Sequence, residues 1–161
     1  MVSLDLQNPE QYKLPATNLI KRWIDMTMTI INRVEKVELT IRFVGEDEGL
    51  KIAKEFCQKH LATNVLSFSF EYEFEIPVKS KLNLLGDLVI CMPIVRWEAI
   101  NLKITTEEHL AHLCIHGTLH LLGFDHQIES EAKNMEIIES SILEKLGYSD
   151  PYKNSNMECL Y

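Results

Sequence analysis

Long apolar runs, cysteine pairs and an N-terminal leader pattern are all missing from this 161-residue sequence. No apolar stretch reaches the roughly 18–20 residues that a membrane-spanning helix needs, so we expect no membrane association. The start, VSLDLQNPEQ, has no basic region followed by an apolar run, so a signal peptide is not expected. The cysteines at positions 57, 91, 114 and 159 form no CxxC pair, which favours reduced thiols in a cytoplasmic protein.

Positive charge is also scarce, since 16 Lys and Arg stand against 24 Asp and Glu, for a formal net charge of −8. This acidity argues against a strongly basic nucleic-acid surface, and we expect no DNA partner. The charge is unevenly distributed: residues 13–60 carry nine basic and seven acidic side chains, and residues 61–161 carry seven and fifteen. A nucleic-acid surface would therefore involve the first third of the chain, although ordinary solvated faces explain the same distribution.

Hydrophobic periodicity predicts strands mainly in the first part of the chain and helices mainly in the second. Strands are indicated at residues 2–7, 37–44, 84–91 (closed by Pro93) and in the run TNVLSFSFEYEFEIPV from Thr63. Helices are indicated at residues 16–31, 47–60, from Thr105 onward and at 130–146. Because no linker or repeat interrupts these elements, we predict one domain over residues 1–161. Its fold class is α+β, with helices packed on a small mixed sheet.

Residues 105–126, TTEEHLAHLCIHGTLHLLGFDH, hold five of the six histidines. Thr105 and Glu108 form a capping box, which predicts that a helix begins here. Four histidines then share one narrow stripe of that helix, at spacings of three, four and four: His109, His112, His116 and His120. Buried imidazoles need partners, because an unsatisfied buried polar group costs roughly 1–3 kcal/mol. Taken singly, the first two histidines fit core or supporting positions, whereas the last two suit a metal ion.

A third ligand follows the helix. His116 and His120 lie one turn apart and can both reach one ion at a Zn–N distance of about 2 Å. Gly123 allows a left-handed turn that brings His126 back toward them. Three neutral nitrogens suit one Zn²⁺ per chain and leave a fourth position open, as in catalytic sites. Cys114 is a poor fourth ligand, because it lies about 160° from His116 around the helix.

The spacing H-x3-H-x2-G-x2-H matches the zinc motif of the metzincin proteases and predicts a zincin-like metal helix. Gly117 stands where those proteases carry the glutamate that takes a proton from zinc-bound water. Peptide hydrolysis is therefore not expected. Since a helical glycine costs roughly 1 kcal/mol relative to alanine, Gly117 indicates close packing or space for a bulky substrate.

The stretch HGTLHLLGFDH at residues 116–126 is similar to the HGxLHLxGYDH signature of the YbeY family of bacterial endoribonucleases, with Phe124 for tyrosine. TNVLSF at residues 63–68 and LGDLVI at residues 85–90 agree with the same family in order and separation. The resemblance covers the chain from about residue 37 to residue 152. It implies a zinc-dependent endonuclease for single-stranded RNA, acting in 16S rRNA 3′-end maturation and ribosome quality control. Ribosomal subunit proteins are further expected partners.

The resemblance also implies site residues. The zinc ligands it implies are the same three histidines, and the TNVLSF strand would border the cleft. Four side chains become candidate substrate contacts: Asn64, Ser67, Lys59 and His112. A strand-entry turn for Asn64 and a solvent-facing strand position for Ser67 are the structural alternatives.

Two departures from the family pattern bear on activity. Cys57 aligns with a family arginine that is implied to contact RNA or assist cleavage, and Ser69 stands where the family often has proline. Lys54, Lys59 and His60 lie nearby in the sequence and can supply positive charge. A lysine does not reproduce the guanidinium fork on a phosphate, so the departure at Cys57 concerns catalysis more than metal binding.

The nucleophile is left open between zinc-bound water and the RNA 2′-OH. The second route needs no glutamate base, which agrees with Gly117. Two other functions are compatible with the sequence. One is a ribosome-assembly module in which zinc only stabilises the fold, and the other is a zinc hydrolase of another substrate.

Overall fold

The computed structural model describes residues 1–69 and 83–153 of the chain. The strands are β1 (Val2–Gln7), β2 (Val37–Val44), β3 (Val65–Ser69) and β4 (Leu84–Cys91). The helices are α1 (Thr17–Ile30), α2 (Glu46–Cys57), α3 (Met92–Leu102), α4 (Thr106–Leu121) and α5 (Glu129–Leu146). The predicted β-rich run continues beyond Ser69 into residues 70–82, which lie outside the described ranges. Within those ranges no helix is long and apolar enough to cross a bilayer.

The four strands form one mixed sheet in the order β1-β2-β4-β3. β1 and β4 both run parallel to β2, whereas β3 runs antiparallel to β4 and forms one edge. Parallel neighbours need a crossover connection, and α1 provides it between β1 and β2. A mixed sheet packed with helices confirms the predicted α+β class.

α4 is the central helix of the molecule. It packs against α1, α3, α5 and the strands β3 and β4. Of its sixteen residues twelve are buried, so the buried polar side chains on it require partners inside the protein. The same hydrophobic core contains the alternating, fully buried Leu39, Ile41 and Phe43 of β2. This burial places His109, His112 and His116 inside the fold, whereas His120 is only partly buried.

Two elements differ from the prediction. Periodicity does not predict helix α3, because Pro93 indicates the end of a strand. Proline here occupies the first turn of a helix, where its missing N–H has no intrahelical acceptor to lose. Helix α2 ends at Cys57 rather than at residue 60, because Gln58 adopts a left-handed conformation with φ 53°.

Candidate metal centre

The ends of α4 position the histidines. At the start, the Thr105 hydroxyl accepts a hydrogen bond from the Glu108 N–H at 3.1 Å, which confirms the predicted cap. The Glu108 carboxylate accepts from the Ser149 N–H instead of completing a capping box. At the other end Gly123 is left-handed, with φ +91°, as the reversal toward His126 requires.

Three imidazoles converge after this reversal. His116, His120 and His126 each offer a ring nitrogen, and these three nitrogens lie within 4.8 Å of one another. The Nε2 atoms of His116 and His120 are 3.1 Å apart. A tetrahedral zinc ion with Zn–N distances of 2.0–2.1 Å would place its ligand nitrogens about 3.3–3.4 Å apart. The donor set and its spacing therefore fit one metal ion.

A buried carboxylate orients the first of these rings. Glu139 of α5 is fully buried, and its Oε1 lies 2.6 Å from His116 Nδ1. Burial alone would raise the pKa of Glu139, but the His112 and His116 rings and their hydrogen bonds outweigh burial and lower this pKa well below its ordinary value. An ionised carboxylate only accepts hydrogen bonds, so His116 donates from Nδ1–H. In the neutral ring this leaves Nε2 as the metal-facing lone pair.

The second carboxylate oxygen is also occupied. His112 Nε2 lies 2.9 Å from Glu139 Oε2, and the Tyr152 hydroxyl donates to the same oxygen. His112 is itself buried, so its ring supports Glu139 from behind. Three donors thus hold one carboxylate, an arrangement that fixes both its charge and its position.

His120 is neutral near pH 7. Burial, followed by the neighbouring His116 and His126 rings, lowers the pKa of His120 to about 4. A neutral imidazole keeps a lone pair for a metal ion, whereas an imidazolium has none.

A second buried network lies two turns earlier on α4. His109 is fully buried, with its Nε2 2.6 Å from Glu98 Oε2 of α3. The Asn64 amide nitrogen donates to both oxygens of Glu98, at 3.2 and 3.1 Å. Within the part of the chain that the structure describes, His109 Nδ1 is the only buried side-chain polar atom without a hydrogen-bond partner. The network ties the entry of β3 to α3 and α4.

Gly117 allows the sheet to approach the metal helix. A Cβ at this position would lie 2.8 Å from Leu88 Cδ2 and 3.2 Å from the Ser67 hydroxyl oxygen. The Ser67 hydroxyl donates to the Gly117 carbonyl at 3.3 Å. Of the two interpretations of this glycine, close packing is therefore the one that the structure supports.

An open cleft of about 460 Å³ contains the triad, a volume within the usual range for ligand sites. Among the predicted contacts, Lys59, Asn64 and Ser67 line it, and Cys57 lies there too. His112 is not among the lining residues. Asn64 is only 4% exposed, and its amide is directed to Glu98 rather than to the cleft.

Sequence reasoning missed four site residues: Glu98, Glu139, Tyr152 and the cleft-lining Asp125. A signal for Glu139 did exist. It lies four residues after the buried Met135 and three before the buried Ile142, so a carboxylate stands on the apolar stripe of α5. Glu98 has no comparable signal, because periodicity does not predict α3 itself.

Fold and site together define a class: an α+β protein with two candidate metal ligands on one helix, a third just after it, and a glycine in place of the protease glutamate. The family model described as "Endoribonuclease YbeY" matches residues 5–147 of the sequence. The chain therefore belongs to the YbeY endoribonuclease family. This match begins nearer the N-terminus than the resemblance recognised in the motifs.

Individual relatives agree with this assignment. The Endoribonuclease YbeY of Stutzerimonas stutzeri is 43% identical over 158 residues, covering 98% of this chain and 96% of the relative. That of Idiomarina loihiensis is 45% identical over 148 residues, covering 91% and 88%. A Thermotoga maritima protein known from a solution structure matches with a TM-score of 0.56, covering 96% of this chain and 100% of that one. At 22% identity, that likeness shows a shared fold.

Proposed function

We propose that this chain is a zinc-dependent endoribonuclease that cleaves single-stranded RNA, with the 3′ end of 16S rRNA as its substrate. The observation that carries the proposal is the convergence of His116, His120 and His126 in an open cleft, in a chain of this family. We further propose that residues 1–161 act as one cytoplasmic domain. Ribosomal subunit proteins are its expected partners.

The donor set supports zinc. All three candidate ligands are imidazole nitrogens, which suit Zn²⁺, and three protein ligands leave a position for substrate. Burial raises the pKa of the Cys114 thiol, so this cysteine stays protonated and supplies no thiolate ligand. The three cysteines of the described ranges are free thiols, which is consistent with a cytoplasmic location.

Zinc at this position supplies a Lewis acid for the scissile phosphodiester. The side chains of the protein prepare the site. Glu139 retains the proton on His116 Nδ1, and Lys59 brings a positive charge to the wall of the cleft. Asp125 is the one carboxylate among the described residues that line the cleft, and we propose that it accepts the proton of the nucleophile.

The two open routes differ in their products. Attack by the RNA 2′-OH leaves a 2′,3′-cyclic phosphate, whereas attack by water does not. Analysis of the product 3′ ends distinguishes the two routes, and DNA of the same sequence should resist cleavage if the 2′-OH is the nucleophile.

The central test pairs metal content with cleavage. We expect the purified chain to hold one zinc and to cut single-stranded RNA, and His116→Ala to lose both. His60→Ala, an exposed histidine outside the cleft lining, is the matched control for metal content. Equal cleavage by the wild type and His116→Ala would reject this site as the catalytic one. Zinc without any cleavage would favour the ribosome-assembly module instead.

The candidate substrate contacts divide into two groups. Lys59 and Ser67 line the cleft and are proposed to touch RNA directly. Asn64 and His112 are buried and bonded to Glu98 and Glu139, respectively, so we propose that they act by holding their neighbours in place. Substitution of Lys59 by glutamine should weaken RNA binding and reduce its salt dependence, with the zinc content unchanged.

A further inference from the structure

The edge strand β3 borders the metal cleft. It pairs with β4 on one side and with no described strand on the other. Val65, Leu66, Ser67 and Ser69 all line the cleft together with the metal histidines. An unpaired strand edge carries main-chain N–H and C=O groups that are free to bind a ligand.

The register shows which groups point outward. The Cys91 N–H donates to the Asn64 carbonyl at 2.9 Å, so these two residues form a hydrogen-bonded pair of the antiparallel ladder. Hydrogen-bonded and non-bonded pairs alternate along such a ladder. Leu66 and Phe68 therefore direct their main-chain groups to β4. Val65, Ser67 and Ser69, which lie opposite Ile90, Leu88 and Gly86, direct theirs to the free edge.

The first outward donor is already occupied. The Val65 N–H donates to the Asn64 side-chain oxygen at 2.7 Å. Glu98 holds that amide in place, and His109 holds Glu98. The outward N–H groups of Ser67 and Ser69 have no hydrogen-bond partner within residues 1–69 and 83–153. The free edge thus presents carbonyls and N–H groups in alternation, beginning at the Val65 carbonyl.

This alternation selects a kind of ligand. A phosphate only accepts hydrogen bonds, so the outward carbonyls would repel it. A nucleobase offers a donor and an acceptor side by side on its Watson–Crick edge, and in single-stranded RNA that edge has no base partner. Lys59 and the metal site in the same cleft suit the phosphodiester that follows the base.

We propose that the free edge of β3, at Ser67 and Ser69, hydrogen-bonds the Watson–Crick edge of an unpaired base beside the scissile bond. The inference rests on the proposed function and adds the part of RNA that the cleft binds. Because the main chain makes the contacts, all four bases find a donor and an acceptor there. In a duplex, the donor and the acceptor on the Watson–Crick edge are already paired with the opposite base. A duplex therefore cannot bind to the strand edge, which gives the preference for single-stranded RNA a physical origin.

Amide NMR tests the contact directly. The full-length, zinc-loaded chain is labelled with ¹⁵N and titrated with a short 2′-O-methyl oligoribonucleotide, which blocks attack by the 2′-OH. We expect the amide protons of Ser67 and Ser69 to shift downfield and to exchange more slowly with solvent. The Val65 amide, already bonded to Asn64, should move little and serves as the internal control. The same oligonucleotide annealed to its complement should leave all three amides unchanged.

A pair of variants at Ser69 provides the kinetic test. Ser69→Pro removes the outward N–H, and proline is tolerated at edge positions whose N–H faces away from the sheet. Ser69→Ala keeps the N–H and loses only the hydroxyl. Proline is also the residue that the family often carries at this position, and the outward N–H and carbonyl of Ser67 remain in the variant. For cleavage of single-stranded RNA we therefore expect KM to rise about threefold in Ser69→Pro, the low end for one lost hydrogen bond, and to stay near wild type in Ser69→Ala. In both variants kcat and the zinc content should equal those of the wild type.

The outcomes are distinguishable. If RNA is bound and cleaved while the Ser67 and Ser69 amides stay unmoved, the edge contact is wrong and the proposed function stands. If the chain neither binds nor cleaves RNA, both fail. If an uncharged, extended peptide shifts these amides at lower concentration than RNA does, the edge serves a protein partner and the proposal is overturned. Should Ser69→Pro not fold, the amide shifts of the wild type still decide whether the strand edge contacts RNA.

Discussion

Replacing Glu139 with glutamine tests the metal site at a residue that touches no metal. The substitution keeps the size of the side chain and removes a buried charge. It also replaces one accepting oxygen with an NH₂ donor, where the wild-type carboxylate meets only donors: His116, His112 and Tyr152. One of these three must then change its hydrogen bonding.

The consequence for His116 follows from its tautomer. If the new NH₂ group faces His116, the ring must accept at Nδ1 and carry its proton at Nε2, the nitrogen that converges with His120. If the NH₂ group faces the other way, His116 keeps its tautomer. It then lacks the negative charge of the Glu139 carboxylate, which makes the ring a better metal ligand. Losses from such supporting partners are typically 10–100-fold in metal affinity. We therefore expect the zinc Kd to rise by this factor, or about 1.4–2.8 kcal/mol.

Competition against a chelator of known affinity measures the zinc Kd of each variant. Glu136→Gln is the matched control, because Glu136 is an exposed residue of the same helix. It should bind zinc like the wild type. His116→Ala marks the complete loss of the site.

An unchanged zinc Kd in Glu139→Gln would refute the role assigned to Glu139. So would an equal loss in Glu136→Gln, since it would indicate a general effect of charge on α5. Circular dichroism of the metal-free variants shows whether each of them folds. Only folded variants enter the comparison of zinc affinities.

Three further predictions concern stability, substrate and pH. Gly86→Ala should lower the free energy of unfolding by about 2–4 kcal/mol in urea titrations, because Gly86 has φ +149° and a Cβ there would collide with the Phe68 carbonyl oxygen. An unchanged stability would contradict this geometry. Cys57→Arg should tighten RNA binding and steepen its logarithmic salt slope by about 0.7, whereas Gln58→Arg, outside the cleft lining, should do less. In metal-free protein, His120 of the unfolded chain becomes protonated at a higher pH than His120 of the folded chain, because folding lowers its pKa to about 4. The free energy of unfolding should therefore fall as the pH is lowered from about 6.5 to about 4. For this half-buried ring we expect a loss of about 1 kcal/mol after solvent screening, and a smaller loss in His120→Asn.

Local sequence patterns predicted the convergence of the three histidines, because one helix and one turn set their geometry. A helical repeat places His116 and His120 side by side, and a left-handed glycine reverses the chain to His126. Local sequence also predicted the strands at residues 2–7, 37–44 and 84–91, since alternating or continuous apolar runs define them. The structure describes all of these elements where the sequence indicated them.

The supporting carboxylates could not be predicted in the same way. Glu98 and Glu139 reach α4 from two other helices, 11 and 27 residues away in sequence from the histidines they bind. Their pairing depends on how α3 and α5 pack on α4, which periodicity within one segment does not determine. The role of Asn64 illustrates the same limit, because its buried partner lies 34 residues away.

The position of Glu139 in α5 also sets an order of maturation during synthesis. All three ligand histidines have been made once residue 126 leaves the ribosome, but the carboxylate that aligns the first of them follows only in the next helix. The hydroxyl of Tyr152, which braces that carboxylate, emerges later still. A nascent chain paused between these points would lack the carboxylate that orients His116, so a metal ion would bind it less tightly than it binds the chain with α5 docked.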